Sequence, residues 1–508
     1  MPNYDDFLME SYELREKLVS DKFRPKYHFL PPEGRWNDLN GVMFWNGRYH
    51  IGYLQKISNG PNELDFSSWQ HISSRDLLHW TYHKAYLREP LEGKKGDYFN
   101  SGDAMAGVEV PTIITNMPRK GICIYQCHDD NLDHWVPFKE NPVIPIDAGW
   151  NRHIDTLDPK AKFPECVIFD PSGWKEGNTY YALIGNKNYR PGYEGDSTSL
   201  FKSKDLKVWD YVGPFYKSDR KWTAEEEDCA CSDFFPFGCK YMLLMHTHKP
   251  YSKCQYYIGR YHNETFYPEM NGQLSHLGSM LAGPETLIDD RGRRLFWGWI
   301  KDARSTETYG WNSIMTIPWH FTPTPDNRLK INPVEELKFL RYNKKLAREM
   351  DLSASEEVII DGFASDCMEL KLTIDPGEAQ QFGLKLLCAP NCEEETVITY
   401  DRHRSQFVID FENASQDKNL AYPGRSQPLT SGNLKQTVPY AIEDNQALNL
   451  DIFVDKSVIE IFVNGDICIV QRVYPMRGDS KQVRLFTNDH QIRARNIVKW
   501  EMGATNPW

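Results

Sequence analysis

A chain of 508 residues is longer than one ordinary hydrophobic core, so two or more domains are expected. Its 40% hydrophobic and 26% charged residues exclude a disordered polymer. A net charge of −12 argues against nucleic acid or an anionic membrane as partner, since both attract basic patches.

The start, Met1-Pro2-Asn3-Tyr4-Asp5-Asp6, has no apolar run behind it, which argues against a secretion signal. Nor does any window approach the roughly 18 apolar residues of a membrane span. Residues 1–20 read as a short helical segment, with Leu8, Tyr12, Leu14 and Leu18 near helical spacing. From 21 to 342 short strands alternate with Gly, Pro, Asn and Asp turns, as in 48–55, 121–128, 179–186, 240–248, 255–261 and 294–301. Asp76-Leu77-Leu78-His79-Trp80 and Asp205-Leu206-Lys207-Val208-Trp209 are near-repeats. A loosely repeated aromatic strand-turn unit of this length points to a β-propeller. Residues 343–355 read as a linker. Beyond it, period-two alternation in Met368-Glu369-Leu370-Lys371-Leu372-Thr373-Ile374 and Leu448-Asn449-Leu450-Asp451-Ile452-Phe453-Val454 predicts a β-sandwich over 356–508. The whole is read as all-β.

The 11 cysteines form no CxxC pair and read as reduced thiols, which points to the cytoplasm. Cys229 and Cys231 lie close together without matching His or Cys neighbours, so they make a poor zinc site.

Three acidic positions stand at strand starts. Asp38 lies in Trp36-Asn37-Asp38-Leu39-Asn40-Gly41, just ahead of the hairpin signal Asn46-Gly47. Asp170 precedes Pro171, and the cluster Glu225-Glu226-Glu227-Asp228 runs through Cys229-Ala230-Cys231-Ser232-Asp233 into Phe234-Phe235-Pro236. Taken singly, each is compatible with a turn or a solvated surface. Their ordered set resembles glycoside hydrolase family 32, the invertases, β-fructofuranosidases and fructan hydrolases. Arg24-Pro25-Lys26-Tyr27-His28-Phe29, Trp69-Gln70-His71, Ser101-Gly102-Asp103-Ala104, Trp297-Gly298-Trp299 and Pro333-Val334-Glu335-Glu336-Leu337 extend the likeness over roughly residues 24–475.

The resemblance implies a five-bladed β-propeller followed by a C-terminal β-sandwich, and a retaining glycosidase acting on β-fructofuranosyl linkages in small fructosides. It makes Asp38 the nucleophile, Asp170 the holder of sugar hydroxyls, and Glu227 the acid/base. Asn37, Gln55, Trp69, Ser101 and Trp299 match positions that line the fructose pocket. Retention requires the two reacting carboxyls to lie about 5–5.5 Å apart. The chemistry calls for no cofactor and no metal.

Three departures stand out. Leu39 replaces the Pro after the nucleophile, Phe169 replaces the Arg of an Arg-Asp-Pro motif, and Ala230 stands where the family places its acid directly before Cys. A β-bulge that carries Glu227 back to the site is therefore expected. The same intermediate also serves fructosyl transfer, and loss of the acid would leave a protein that only binds fructosides. Homo-oligomerisation is left open.

Overall fold

The computed structural model describes residues 12–13, 15–16, 18–32, 34–57, 66–88, 99–118, 120–146, 166–186, 196–304, 309–424, 427–444 and 446–506. Strands dominate them. Residues 12–13, 15–16 and 18–19 are helical, and the rest of the expected N-terminal helix lies outside the described residues. No helix among the described residues is long and apolar enough to cross a membrane.

Among the described residues, five antiparallel sheets, each built on a path of four strands and two of them with a short fifth, occupy the N-terminal part. Blade 1 runs from Arg35–Trp45 to Thr81–Tyr82, blade 2 from Gly102–Ala104 to Trp135–Pro137, and blade 3 from Pro171–Glu176 to Asp210–Lys217. Blade 4 runs from Ala230–Phe237 to Thr265–Gln273, and blade 5 from Leu281–Ile288 to Leu329–Pro333. The first strand of each blade touches the first strands of the two neighbouring blades, and blade 5 touches blade 1, so the ring is closed. The chain ahead of blade 1 helps the closure: Gly34 bridges to Trp311, and the Trp36 indole donates to the Ser313 carbonyl at 3.2 Å. This is a five-bladed β-propeller. Closure removes exposed inner edges and aims five strand starts at one axis.

Local sequence explains the turns. Asn46 and Gly47 both have positive φ (48° and 71°), the requirement of a two-residue hairpin between twisted strands. The near-repeat read in the sequence is the turn from the third to the fourth strand of blades 1 and 3. Asp76 Oδ1 accepts the Leu78 and His79 N–H groups, and Asp205 Oδ1 accepts those of Lys207 and Val208. Leu77 and Leu206 are left-handed, at φ 67° and 65°. Blade 2 repeats the turn at Leu132 (φ 59°), where the Trp135 indole donates to the Leu132 carbonyl just as Trp209 donates to Leu206.

The C-terminal part is a sandwich of two antiparallel sheets, one containing Cys367–Asp375 and Leu448–Asp455, the other Gln381–Cys388 and Thr396–Asp401. The expected linker is corrected here: Arg341–Leu346 and Met350–Leu352 are strands that pair with Ile492–Met502 of the sandwich. Their alternation was hidden because the first of them is an exposed, polar edge strand. Polar groups also join the two parts. Fully buried His28 places Nδ1 3.0 Å from Asp455 and Nε2 3.1 Å from Glu460, and Glu460 accepts the Trp319 indole N–H at 2.6 Å. Burial opposes the imidazolium, but hydrogen bonds and charge from the two carboxylates outweigh it and raise His28 to about 9.

Candidate active site

Three of the five inner strands are bulged, that of blade 1 twice, and one bulge from each meets at the axis. In blade 1, Asn37 and Asp38 together face Leu54, between the pairs Trp36–Gln55 and Leu39–Tyr53. In blade 4, Cys231 and Ser232 face Met245; in blade 5, Gly283 and Pro284 face Gly298. A bulge takes a side chain out of the strict in-out alternation and re-aims it. Gly283 sits at φ 49°, and a β-carbon there would lie 3.1 Å from Asp38 Oδ1. Close approach and backbone conformation both call for glycine at that position.

Asp38 is anchored from blade 2. Ser101 Oγ donates to its Oδ2 at 2.7 Å. Asn40 Nδ2 donates to the Asp38 carbonyl at 2.9 Å, while Asn40 Oδ1 accepts the Gly102 N–H at 2.9 Å. Asn40 thus stitches the inner strands of blades 1 and 2 and fixes the backbone of the bulge. Asp170, buried at the mouth of blade 3, receives the Cys231 thiol at 3.9 Å. Burial, then the charges of Asp38 and Asp170, push that thiol well above its ordinary value, so Cys231 is a neutral S–H between two carboxyls.

A second acidic tier follows along the same strands. Asp103 of blade 2, Asp233 of blade 4 and Glu285 of blade 5 are all shifted upward, first by burial, with like charge from neighbouring carboxyls also pushing Asp103 and Glu285 up. Arg294 partly offsets the shifts of Asp103 and Asp233. The upward shifts favour the protonated forms of Asp103 and Glu285 and so limit negative charge beside Asp38. Beyond it lies a cavity of about 410 Å³ lined by Trp45, Asp103, Trp174, Asp233, Phe235 and Arg294. Asp38, Ser101 and Asp170 do not line it, so this cavity is not where the bulges converge. What does converge there is one carboxylate with a hydroxyl donor on one oxygen, and a second buried carboxyl across a thiol.

A model of the glycosyl hydrolases family 32 N-terminal domain matches residues 28–333, and one of the family 32 C-terminal domain matches 336–501. The chain belongs to glycosyl hydrolase family 32. It is a member of a family of glycosidases. It is 25% identical to a sucrose-6-phosphate hydrolase of Zymomonas mobilis subsp. mobilis, over 97% of this chain and 94% of the relative. It is also 25% identical to a levanase of Bacillus subtilis, over 94% of this chain and 70% of that one. Among solved structures, fructan 1-exohydrolase IIa from Cichorium intybus superposes with a TM-score of 0.79 at 19% identity, covering 96% of this chain and 98% of that one. Sucrose-6-phosphate hydrolase from Lactobacillus gasseri does so at 0.74 and 21% identity, covering 99% and 98%.

Set against the family 32 motifs, the expected residues divide. Asp38 and Ser101 are in contact, and Asp170 is joined to them through Cys231. Asn37 shares the bulge, Gln55 pairs across from Trp36, and half-buried Trp299 pairs with Ala282 beside Gly283. Trp69 falls elsewhere. It is fully buried, and its indole donates to the Asn100 carbonyl at 2.9 Å, so it supports the Ser101 segment from below instead of walling a pocket.

Glu227 is the second difference. Its Oε1 accepts Lys253 Nζ at 2.9 Å and the Ala224 N–H at 3.1 Å, and its Oε2 accepts Gln255 Nε2 at 3.0 Å. Lys253 and Gln255 belong to the third strand of blade 4, and the carboxyl of Asp196, at the edge of blade 3, feels the Glu227 charge. The carboxylate is therefore turned into the seam between blades 3 and 4. A bulge exists, as expected, but it falls at Cys231 and Ser232 and re-aims Cys231. Moreover, the positions that hold an arginine and a glutamate in the family motif hold Phe169 and Ala230, and these pack together with Val167. Two departures that look separate in sequence form one apolar contact in space. Gly283 and Glu285 escaped the sequence reading; the Gly283-Pro284 break inside the first strand of blade 5 was the available signal.

Proposed function

We propose that the chain hydrolyses β-fructofuranosyl linkages in small fructosides, such as sucrose, inulobiose, levanbiose or short fructo-oligosaccharides, with retention of configuration. The observation that carries this reading is the Asp38 carboxylate, presented by a bulge at the propeller axis with Ser101 on one oxygen and Gly283 against the other. Asp38 attacks the anomeric carbon and forms a covalent fructosyl ester. The leaving oxygen takes a proton from Glu227, and water activated by the same group then releases fructose and frees Asp38. Asp170 holds sugar hydroxyls and steadies the oxocarbenium-like transition state. Within the acidic cluster the structure supports Glu227 over its neighbours. Glu225 and Glu226 are exposed, and Asp228 is committed to Thr247 and to His248 at 2.9 Å. To act, Glu227 exchanges its Lys253 contact for the leaving oxygen. The 11 free cysteines support a reducing, cytoplasmic setting for the reaction.

A second reading, fructoside binding without turnover, is favoured by the Phe169–Ala230 contact and by the engagement of both Glu227 oxygens. Fructose release from sucrose, inulobiose, levanbiose and inulin separates the two. Hydrolysis predicts turnover of at least one disaccharide. It also predicts that Glu227→Gln slows that turnover by about 10²–10⁴-fold while sparing an aryl fructofuranoside, whose leaving group needs no proton. Sugar binding with no turnover of any of them establishes the second reading.

A further inference from the structure

The loop between the sandwich strands Gln381–Cys388 and Thr396–Asp401 gathers two thiols and a carboxylate. Cys388 Sγ lies 3.8 Å from Cys392 Sγ and 4.0 Å from Glu395 Oε2, and one ligand atom from each residue falls within 4.8 Å of the others. We propose that Cys388, Cys392 and Glu395 form a binding site for a thiophilic divalent cation of the zinc class, unrelated to the glycosidase centre. Two thiolates on a tetrahedral zinc, each at about 2.3 Å, stand about 3.8 Å apart. The sulfurs therefore already hold the spacing that the ion requires. The order Cys-x-x-x-Cys-x-x-Glu also suits a tight loop that wraps one ion.

The loop is built to hold this arrangement. The Cys392 N–H donates to the Ala389 carbonyl at 2.9 Å and the Ala389 N–H to the Glu394 carbonyl at 2.8 Å. Buried Glu394 is itself fastened by the Met476 and Arg477 N–H groups and the Ser480 hydroxyl. Charge is compensated as well. On binding, the two thiols lose their protons to solvent, so two thiolates, one carboxylate and a divalent ion leave one net negative charge. Arg484 donates to the Pro390 carbonyl of the loop at 2.9 Å, and Lys385 lies 2.9 Å from Glu395. Three protein donors leave a fourth tetrahedral position for water.

Cobalt(II) titration of the reduced, metal-stripped full-length protein tests the site. Binding of one equivalent with a thiolate-to-cobalt charge-transfer band is expected. That band is lost in Cys392→Ser, and fructoside hydrolysis is unchanged in that variant. Zinc should displace the cobalt and protect two thiols from a thiol reagent. His71, His83 and Asp133 form another cluster of possible donors, but these are nitrogen and oxygen only, so cobalt bound there gives no such band. Cobalt binding without the band, no binding at micromolar metal, or retention of the band in a folded Cys392→Ser variant would overturn the proposal. So would a Cys388–Cys392 disulfide that persists under the reducing conditions of the titration.

Discussion

Asp38 is held by two unlike neighbours, a hydroxyl that donates to one oxygen and a glycine that leaves the other uncrowded. A hydrogen bond to a charged group is worth about 1.5–3 kcal/mol, so Ser101→Ala should lower kcat/KM at least about tenfold with little change in Tm. Steady-state kinetics on a disaccharide substrate, with a thermal melt beside them, check this. At this scale the sequence was partly legible. Asp38, Ser101 and Asp170 each stand in a short polar motif that singly fits a turn or a solvated surface as well, and it is their order along the chain that sets them apart. Trp69 could not be read because its burial depends on how blades 1 and 2 pack, and no local pattern reports that. Glu227 could not be placed because the direction of its side chain depends on where the bulge falls. It falls four and five residues later, at Cys231 and Ser232.

At the scale of the strand, the bulge of blade 1 depends on Asn40. Its amide satisfies the Asp38 carbonyl and the Gly102 N–H, and the side chain is fully buried. Asn40→Ala leaves the Gly102 N–H without its acceptor, a loss of about 1–3 kcal/mol, and frees the bulge. Urea unfolding should show that loss, and activity should fall further than stability accounts for. Turns were read well where chemistry forces them: Asn46-Gly47 suits the left-handed backbone it adopts, and the two Asp-Leu turns are held by Asp carboxylates that accept the following N–H groups. Residues 343–355 were read as a linker because the exposed, polar edge strand Arg341–Leu346 carries no alternation. The Phe169–Ala230 contact is another limit of one-dimensional reading. Two absences, of a cation and of an acid, look like separate losses until the fold sets them side by side.

At the scale of the molecule, propeller and sandwich are locked through His28, Asp455 and Glu460. The folded imidazole titrates at about 9, above the unfolded value of about 6.5. Its contribution is therefore complete below about pH 6.5 and declines as pH rises through 9, by about 3 kcal/mol in all. Thermal melts should show the native chain losing more stability between pH 7 and pH 10 than His28→Gln does. Equal losses would mean that the interface does not depend on the proton. The two-part architecture, a propeller and a sandwich, was legible because alternation and turn spacing repeat over hundreds of residues, while the count of five blades came from the family resemblance. The positions of acid and seam were not, since they depend on single bulges.

In the proposed reaction Asp38 is the nucleophile and configuration is retained. Rapid quenching of turnover on an activated, slowly deglycosylating fructoside, followed by proteolysis and mass spectrometry, tests it directly. One fructosyl unit esterified to Asp38, and absent from Asp38→Asn, is the predicted result. A fructosyl unit on any other residue, or complete turnover with inversion at the anomeric carbon and no adduct, would contradict it.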